Sequence, residues 1–544
     1  MAVITVNKFS GVSPMTPPRY LGNEAAQTAL NCPVWKGSLQ PIKGAQALTP
    51  SPLTKSGNIK SIYRFDQSQT NELNYWFHWT TDVDVVQGFI AGDTTERTYY
   101  TGDGNPKVTN ATMALTGGGN LYPIASYDIG VPKPTGTFTT AKTGTANANT
   151  TAETRVYTFT YVNSFGEEST PYAETDMSPS TEDVYPGESV VVTMPTGTIN
   201  NVNVTKKRIY RSASGTANTS YFFVAEVTLA TATYTDSLDG DDLNEELPSL
   251  TWVQPPTTLK GLVGMPNGVM AGFSGNDVYF SEPFRPFAWP TQYVQTVGYP
   301  VVGLGVIDTT VVVLTKGRPY FIQGSHPDSS VMVEADVNQA CISKRSIVSM
   351  NNNVFFASPD GIVALSPGGS SVVTQSLFDK ETWQAQSPDD LVACMYESQY
   401  VGFFDTTSGN GGFVYDMKQK TWNFHNVYVT GAYNDLKNDA LYIIQNNELS
   451  KWDSGNDLSY TWKSKKYTFP EPKAFSCYRV EAEAYPVTMK IYKDSSAVVN
   501  LSVTDGSLRR LPPGLGTTWE FQLEGDKEVY NVQLAQTPQE LNQG

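Results

Sequence analysis

The sequence predicts an all-β fold: a β-propeller-like platform, an inserted fibronectin-III-like β-sandwich and a C-terminal β-domain. Three observations predict it. Between residues 267 and 453 one phrase recurs five times: an apolar strand, a short polar turn and a second apolar strand. Residues 153–250 hold short alternating strands that lack this interval. Gly (44) and Pro (34) are spread along the chain and aromatic residues make up 12%, which suits many turns and strands. No segment longer than a few turns carries a convincing 3.6-residue apolar period.

Residues 1–134 are read as an N-terminal segment followed by the first propeller strands. The prolines of Phe9-Ser-Gly-Val-Ser-Pro-Met-Thr-Pro-Pro-Arg-Tyr-Leu21 force an extended entry. Ala25, Ala26 and Ala29 suit one short helical turn. Strands follow at Ile62–Phe65, Asn74–Trp79 and Val83–Phe89, with room for one or two blades before residue 127. Residues 135–152 are almost all Thr, Ala, Gly, Lys and Asn, a linker by composition. The sandwich, residues 153–250, is read from Glu153–Tyr161, Val202–Arg211, Tyr221–Val227 and Thr233–Asp236.

The propeller blades span residues 251–456. Val269, Val311, Val354, Tyr400 and Ala440 mark the first strand of each phrase, at intervals of 42, 43, 46 and 40 residues. Repeats of about 40–50 residues with up to four strands are the mark of propeller blades. A blade cannot bury both faces alone, so several must stack around an axis. After Trp452 the interval stops, and residues 457–544 are read as a separate β-domain.

The charge is 37 − 53 = −16. This argues against gripping nucleic acid through phosphates and against an anionic membrane surface. Cys32, Cys341, Cys394 and Cys477 have no metal-ligand spacing and read as buried free thiols. Met1–Lys8 lacks the pattern of a secretion signal, and no apolar run reaches transmembrane length, so synthesis in a cytoplasm and no membrane insertion are expected.

Each catalytic constellation competes with a blander reading. His78, His326 and His425 have no metal-binding spacing and read as packed or surface residues. Ser274 in Phe273-Ser-Gly-Asn-Asp277 lies in a hairpin turn, with Gly275-Asn276 expected at positive φ, and not in a nucleophile elbow. The acidic run Asp236–Glu246 lacks calcium-loop order and reads as a solvated turn. Asp360, Asp405 and Asp416 are the carboxylates a glycosidase would pair, although each falls in a predicted turn. Thr116-Gly-Gly-Gly-Asn120 lacks the Lys and following helix of a phosphate loop. Lys316/Arg318, Lys344/Arg345 and Arg509/Arg510 read as solvated basic pairs, with Arg345 able to meet an acidic edge. No catalytic, cofactor-binding or metal residue is assigned, no cofactor is expected, and no enzyme activity is expected.

Several strings resemble a known family. They are Phe9-Ser-Gly-Val-Ser-Pro14, Trp35-Lys-Gly-Ser-Leu-Gln-Pro41, Leu259–Phe273, Val278-Tyr-Phe-Ser-Glu-Pro-Phe-Arg-Pro-Phe-Ala-Trp-Pro290, Val313–Tyr320, Cys341-Ile-Ser-Lys-Arg345 and Ala357-Ser-Pro-Asp-Gly-Ile362. Together they resemble the tail nozzle, or tail tubular B-type, proteins of short-tailed (podovirus) bacteriophages, from residue 8 to about 535. The resemblance implies a virion structural protein: a homohexameric ring below the tail adaptor and portal. It implies a tail fibre or spike docked on the ring, and viral double-stranded DNA retained in and then passed through the lumen without sequence-specific binding. It assigns no DNA-gate residue. The alternatives are a propeller glycosidase acting on host surface polysaccharide and a trimeric receptor-binding fibre.

Overall fold

The computed structural model describes residues 3–34, 36–65, 71–90, 92–147, 149–173, 180–213, 220–404 and 411–542. Among these residues, seven antiparallel sheets form a closed ring. Blade 1 has two described strands, Ser61–Arg64 and Trp76–Trp79. Blade 2 runs Asp84–Gln87, Thr98–Thr101, Lys107–Thr109 and Tyr127–Asp128. Blade 3 runs Lys260–Gly264, Met270–Ser274, Asp277–Phe280 and Gln295–Thr296. Blade 4 holds Val301–Ile307, Thr310–Thr315, Tyr320–Gln323 and Val331–Glu334. Blade 5 holds Val348–Met350, Asn353–Ser358, Gly361–Ser366 and Gly369–Val372. Blade 6 holds Val392–Tyr396, Gln399–Phe403, Gly412–Asp416 and Thr421–His425. Blade 7 takes three strands from Gly431–Asp435, Ala440–Gln445 and Glu448–Lys451, and its outer strand from the N-terminal Gln46–Ala47.

From blade 2 onward the first strand of each blade packs on that of the next, and that of blade 7 packs on that of blade 1. Between blades 1 and 2, Val83 N donates to Ser61 Oγ at 2.9 Å. Each junction has its own apolar core. Phe77, Trp79 and Tyr100 join blades 1 and 2, and Leu262, Met270 and Tyr99 join blades 2 and 3. Val278 and Val313 fill the next joint, then Val312 and Phe356. Phe355 lies 6.1 Å from Tyr400 between blades 5 and 6. Phe403 and Ile443 join blades 6 and 7, and Trp76 and Tyr442 join blades 7 and 1. These are the wedges that the repeat predicts, five from residues 251–456 and two before residue 130.

Residues 135–152 differ from the expected linker. Thr139–Gly144 forms a strand paired with Glu188–Thr193, which also pairs with Thr233–Asp236. It is a largely exposed edge, so its side chains are polar although its backbone is laddered. The facing sheet has the order Thr181–Val184, Glu153–Asn163, Val204–Ser212 and Tyr221–Thr228. Phe159, Ile209 and Val192 are buried between the two. Arg97 of blade 2 anchors this sandwich, 3.4 Å from Glu167 and 4.8 Å from the Phe165 ring centre.

The expected helical turn is a strand. Ala26–Leu30 lies between the outer strand of blade 6, parallel to it, and Tyr460–Ser464, antiparallel. Alanine's helix preference is worth only tenths of a kcal/mol per residue, whereas this position supplies an antiparallel ladder on the Tyr460–Ser464 side and a bridge from Leu30 to Phe424 on the other. The C-terminal strands therefore do not stand apart. Blade 6, Ala26–Leu30, Tyr460–Ser464, Gly516–Gly525, Val487–Lys493 and Ser496–Val503 form one continuous sheet, with Tyr467–Lys473 alongside. A second sheet pairs Val3–Val6 with Val529–Ala535. All four cysteines are free and buried. Among the described residues, no helix is long and apolar enough to cross a membrane.

Candidate functional site: a charged brace across the propeller axis

Lys344 and Arg345 sit in the short helical turn Lys344–Ser346 that leads into blade 5. Lys344 Nζ lies 2.7 Å from Asp84 and 3.1 Å from Asp82, at the start of blade 2 and three blades away around the ring. Asp84 also accepts from Gly261 N of blade 3 at 3.1 Å. Arg345 Nε lies 3.7 Å from Asp82, and its Nη1 donates to Thr430 O, before blade 7, at 2.7 Å. Its other terminal nitrogen donates to Lys60 O, before blade 1. One cluster therefore ties five blades across their common axis. Two cavities of about 310 and 190 Å³ flank it, and both are lined by Asp82, Lys344 and Arg345.

Burial pushes the Asp84 carboxyl up, and the Lys344 ammonium offsets only part of the rise. Burial pulls Lys344 down, but the attraction of Asp84 and Asp82 outweighs it and holds the ammonium above its ordinary value. Lys344 and Arg345 are thus not a solvated pair. The solvated reading fails for both: Arg345 meets Asp82, the kind of acidic edge it was able to meet, and Lys344 makes the shorter contacts. Asp82 and Asp84 gave no sequence signal, because Lys344 stands 260 residues from Asp84.

A larger cavity of about 540 Å³ lies between blades 6 and 7 and both chain ends. Glu397, Asp453, Asp457, Glu483, Asp526 and Glu528 line it, with Lys36, Lys43 and Lys527 among them. Burial, then Asp453 and Asp439, raise the Glu397 carboxyl. Among the described residues, no group of three His, Cys, Asp or Glu is placed to hold a metal ion.

The candidate residues read from the sequence have local partners. His78 Nε2 accepts from Thr54 N and Lys55 N at 3.1 and 3.0 Å, and burial pulls its pKa down to about 4. His425 is buried between Phe403 and Trp452, and burial takes it to about 3. His326 caps the turn Pro327–Ser329. Asp360 joins the second and third strands of blade 5 and contacts Lys380 at 3.1 Å and Gln339 at 2.8 Å. Asp416 opens the turn between the third and fourth strands of blade 6 and accepts from Lys418 N at 2.7 Å. Antiparallel alternation puts these two turns at opposite ends of their blades, so the two carboxylates do not share a cleft. Asp405 lies outside the described residues.

Asp236 differs from the solvated-turn reading. It is fully buried, 2.7 Å from Tyr157 Oη and 3.4 Å from Arg211 Nη1. Of the Gly275-Asn276 turn, only Gly275 has positive φ, at 64°. Arg318 pairs with Glu334 at 3.0 Å and Arg509 with Asp505 at 3.4 Å, both at the surface. The glycines of Thr116–Asn120 follow the short helix Ala111–Leu115 instead of preceding one.

Neither a family model nor a curated protein matches the chain. Solved structures do. BamB from Moraxella catarrhalis is 12% identical, covering 54% of this chain and 91% of that one, with a TM-score of 0.25. The Pan2 WD40 domain of Neurospora crassa is 8% identical, covering 60% and 89%, with a TM-score of 0.24. An exo-β-1,3-galactanase from Phanerochaete chrysosporium is 7% identical, covering 94% and 99%, with a TM-score of 0.16. At these values none of the three bears on what this chain does.

Proposed function

We propose that the chain is a structural part of a short phage tail, a nozzle subunit that assembles as a ring of six, docks on the tail adaptor, anchors fibres and surrounds the exiting genome. The observation that carries this reading is the way the chain commits its charged and terminal segments to rigidity. Lys344 ties blade 5 to Asp82 and Asp84 at the start of blade 2, three blades away. Ala26–Leu30 welds the outer edge of blade 6 to the C-terminal strands. A platform that carries load needs such joints, and a disc whose blades are tied to one another through Lys344 and Arg345 is suited to bear load, with the DNA bore in the space between subunits.

The strings that carry the family resemblance have structural roles consistent with this. Phe9 packs edge-on to Trp462 at 5.0 Å. Leu259–Phe273 supplies strands of blade 3, and Cys341–Arg345 leads into the brace. The net charge of −16 per chain fits a lumen that does not hold DNA, because each Lys or Arg contact with phosphate would brake its movement.

Mass photometry of the purified protein tests the stoichiometry. Six copies of the 59.5 kDa chain support the ring. A trimer supports a fibre, and absence of the chain from purified virion tails by mass spectrometry overturns the tail assignment.

A further inference from the structure

The cavity of about 540 Å³ beside blades 6 and 7 has an apolar floor and an acidic wall. Ile42, Val401, Val414 and Trp452 form the floor, and all four are buried. The wall carries Glu397, Asp453, Asp457, Glu483, Asp526 and Glu528 against Lys36, Lys43 and Lys527, twice as many carboxyls as ammonium groups. Of the six acids, Asp526 alone has an ion-pair partner among the described residues, Lys527 at 3.3 Å. Asp453 accepts from Lys43 N at 3.1 Å, and Glu528 accepts from Gln40 Nε2 at 2.7 Å. Burial and the neighbouring Asp453 raise Glu397, and burial raises Asp453, with Lys36 offsetting part of each. A cation closer than Lys36 would stabilise both carboxylates.

Gln399 points to a ligand independently of this charge. It opens the second strand of blade 6, lines the cavity and is 7% exposed. Its side chain shares a face with Val401, two residues on. Its amide has no hydrogen-bond partner among the described residues. Burying an unpaired amide is costly, so the site favours a group that pairs with it. The turn before it, Glu397-Ser398, has both residues at positive φ, 48° and 62°. The corresponding turn of blade 5 uses Asn351-Asn352, and asparagine suits that backbone region where glutamate does not. Glu397 is thus held on the cavity wall against its backbone preference.

We propose that this cavity binds a linear aliphatic polyamine. Its methylenes lie over the apolar floor, its ammonium groups face Glu397 and Asp453, and one N–H donates to the Gln399 amide oxygen. A divalent metal ion fits poorly, because no three acidic groups among the described residues are placed to hold one. An anion is opposed by the wall. The volume lies within the range of about 300–1,000 Å³ that is usual for small-molecule sites. The inference goes beyond the tail reading and does not depend on it.

Isothermal titration calorimetry of the full-length protein with spermidine, at constant ionic strength, tests the site. We expect saturable binding that an equal concentration of Mg²⁺ does not displace. Glu397→Gln and Gln399→Leu should each weaken it about tenfold, as the loss of a charge-assisted hydrogen bond does. Lys36→Gln should tighten it, a gain that misfolding cannot mimic. Glu471→Gln, at an exposed acid outside the cavity, should change nothing. Absence of saturable binding, displacement by Mg²⁺, or a Glu397→Gln, Gln399→Leu or Lys36→Gln protein that binds like the wild type overturns the proposal. So does a Glu471→Gln protein that binds as weakly as Glu397→Gln, since the attraction would then belong to the acidic surface at large.

Discussion

Arg64 and Asp435 meet at 2.9 Å, both shut off from water, where blade 7 closes on blade 1. Removing one partner of a buried pair strands the other charge, so Arg64→Met should cost about 3–5 kcal/mol in urea denaturation. The buried histidines set the pH dependence. Burial holds His425 near 3 and His78 near 4, below their ordinary 6.5. The unfolded chain therefore takes up these protons first as pH falls, and stability held above pH 6.5 is lost progressively, down to about pH 4 for His78 and about pH 3 for His425. Every tenfold difference in proton affinity between the folded and unfolded chain is worth about 1.4 kcal/mol. His425→Gln should flatten that fall, measured as denaturation midpoints across this window; an unchanged slope would assign the loss to other groups. The sequence left both rings as packed or surface residues, with an aromatic strand evident only around His78, and the structure buries both. The roles of Lys344 and Asp236 were not legible, because their partners come from other blades or strands.

At the scale of elements, Ala26–Leu30 is the joint most exposed to test. It lies inside a continuous sheet, so its amides should be among the slowest to exchange with deuterium, whereas a helical turn at the surface would exchange early. Gly412 is a second joint. A Cβ there would meet Gly402 O and the His425 ring. Backbone cannot step aside, so Gly412→Ala should destabilise by about 1–3 kcal/mol, read from thermal melts. Strands that repeat at a fixed interval were readable because each alternates or is wholly apolar. Ala26–Leu30 and Thr139–Gly144 were hidden for opposite reasons. The first is small and helix-prone, with its pairing fixed by distant strands. The second is polar because it forms an exposed edge.

At the scale of the whole molecule, the propeller was legible from its period, and its blade number was not. Blade 1 is short, blade 7 borrows Gln46–Ala47 from the far end of the chain, and the sandwich interrupts blades 2 and 3. The sandwich has its own core, so replacing residues 135–250 with a short Gly/Ser link should leave a cooperative propeller with altered stability only near Arg97. Carboxylates that could have paired in an active site, Asp360 and Asp416, fall in separate turns, because turn positions favour Asp whatever the function. The most direct test of a platform built to assemble is cryo-EM of the purified full-length protein. We expect class averages with six seven-bladed discs around a common open centre. Single particles or three-fold particles would contradict it.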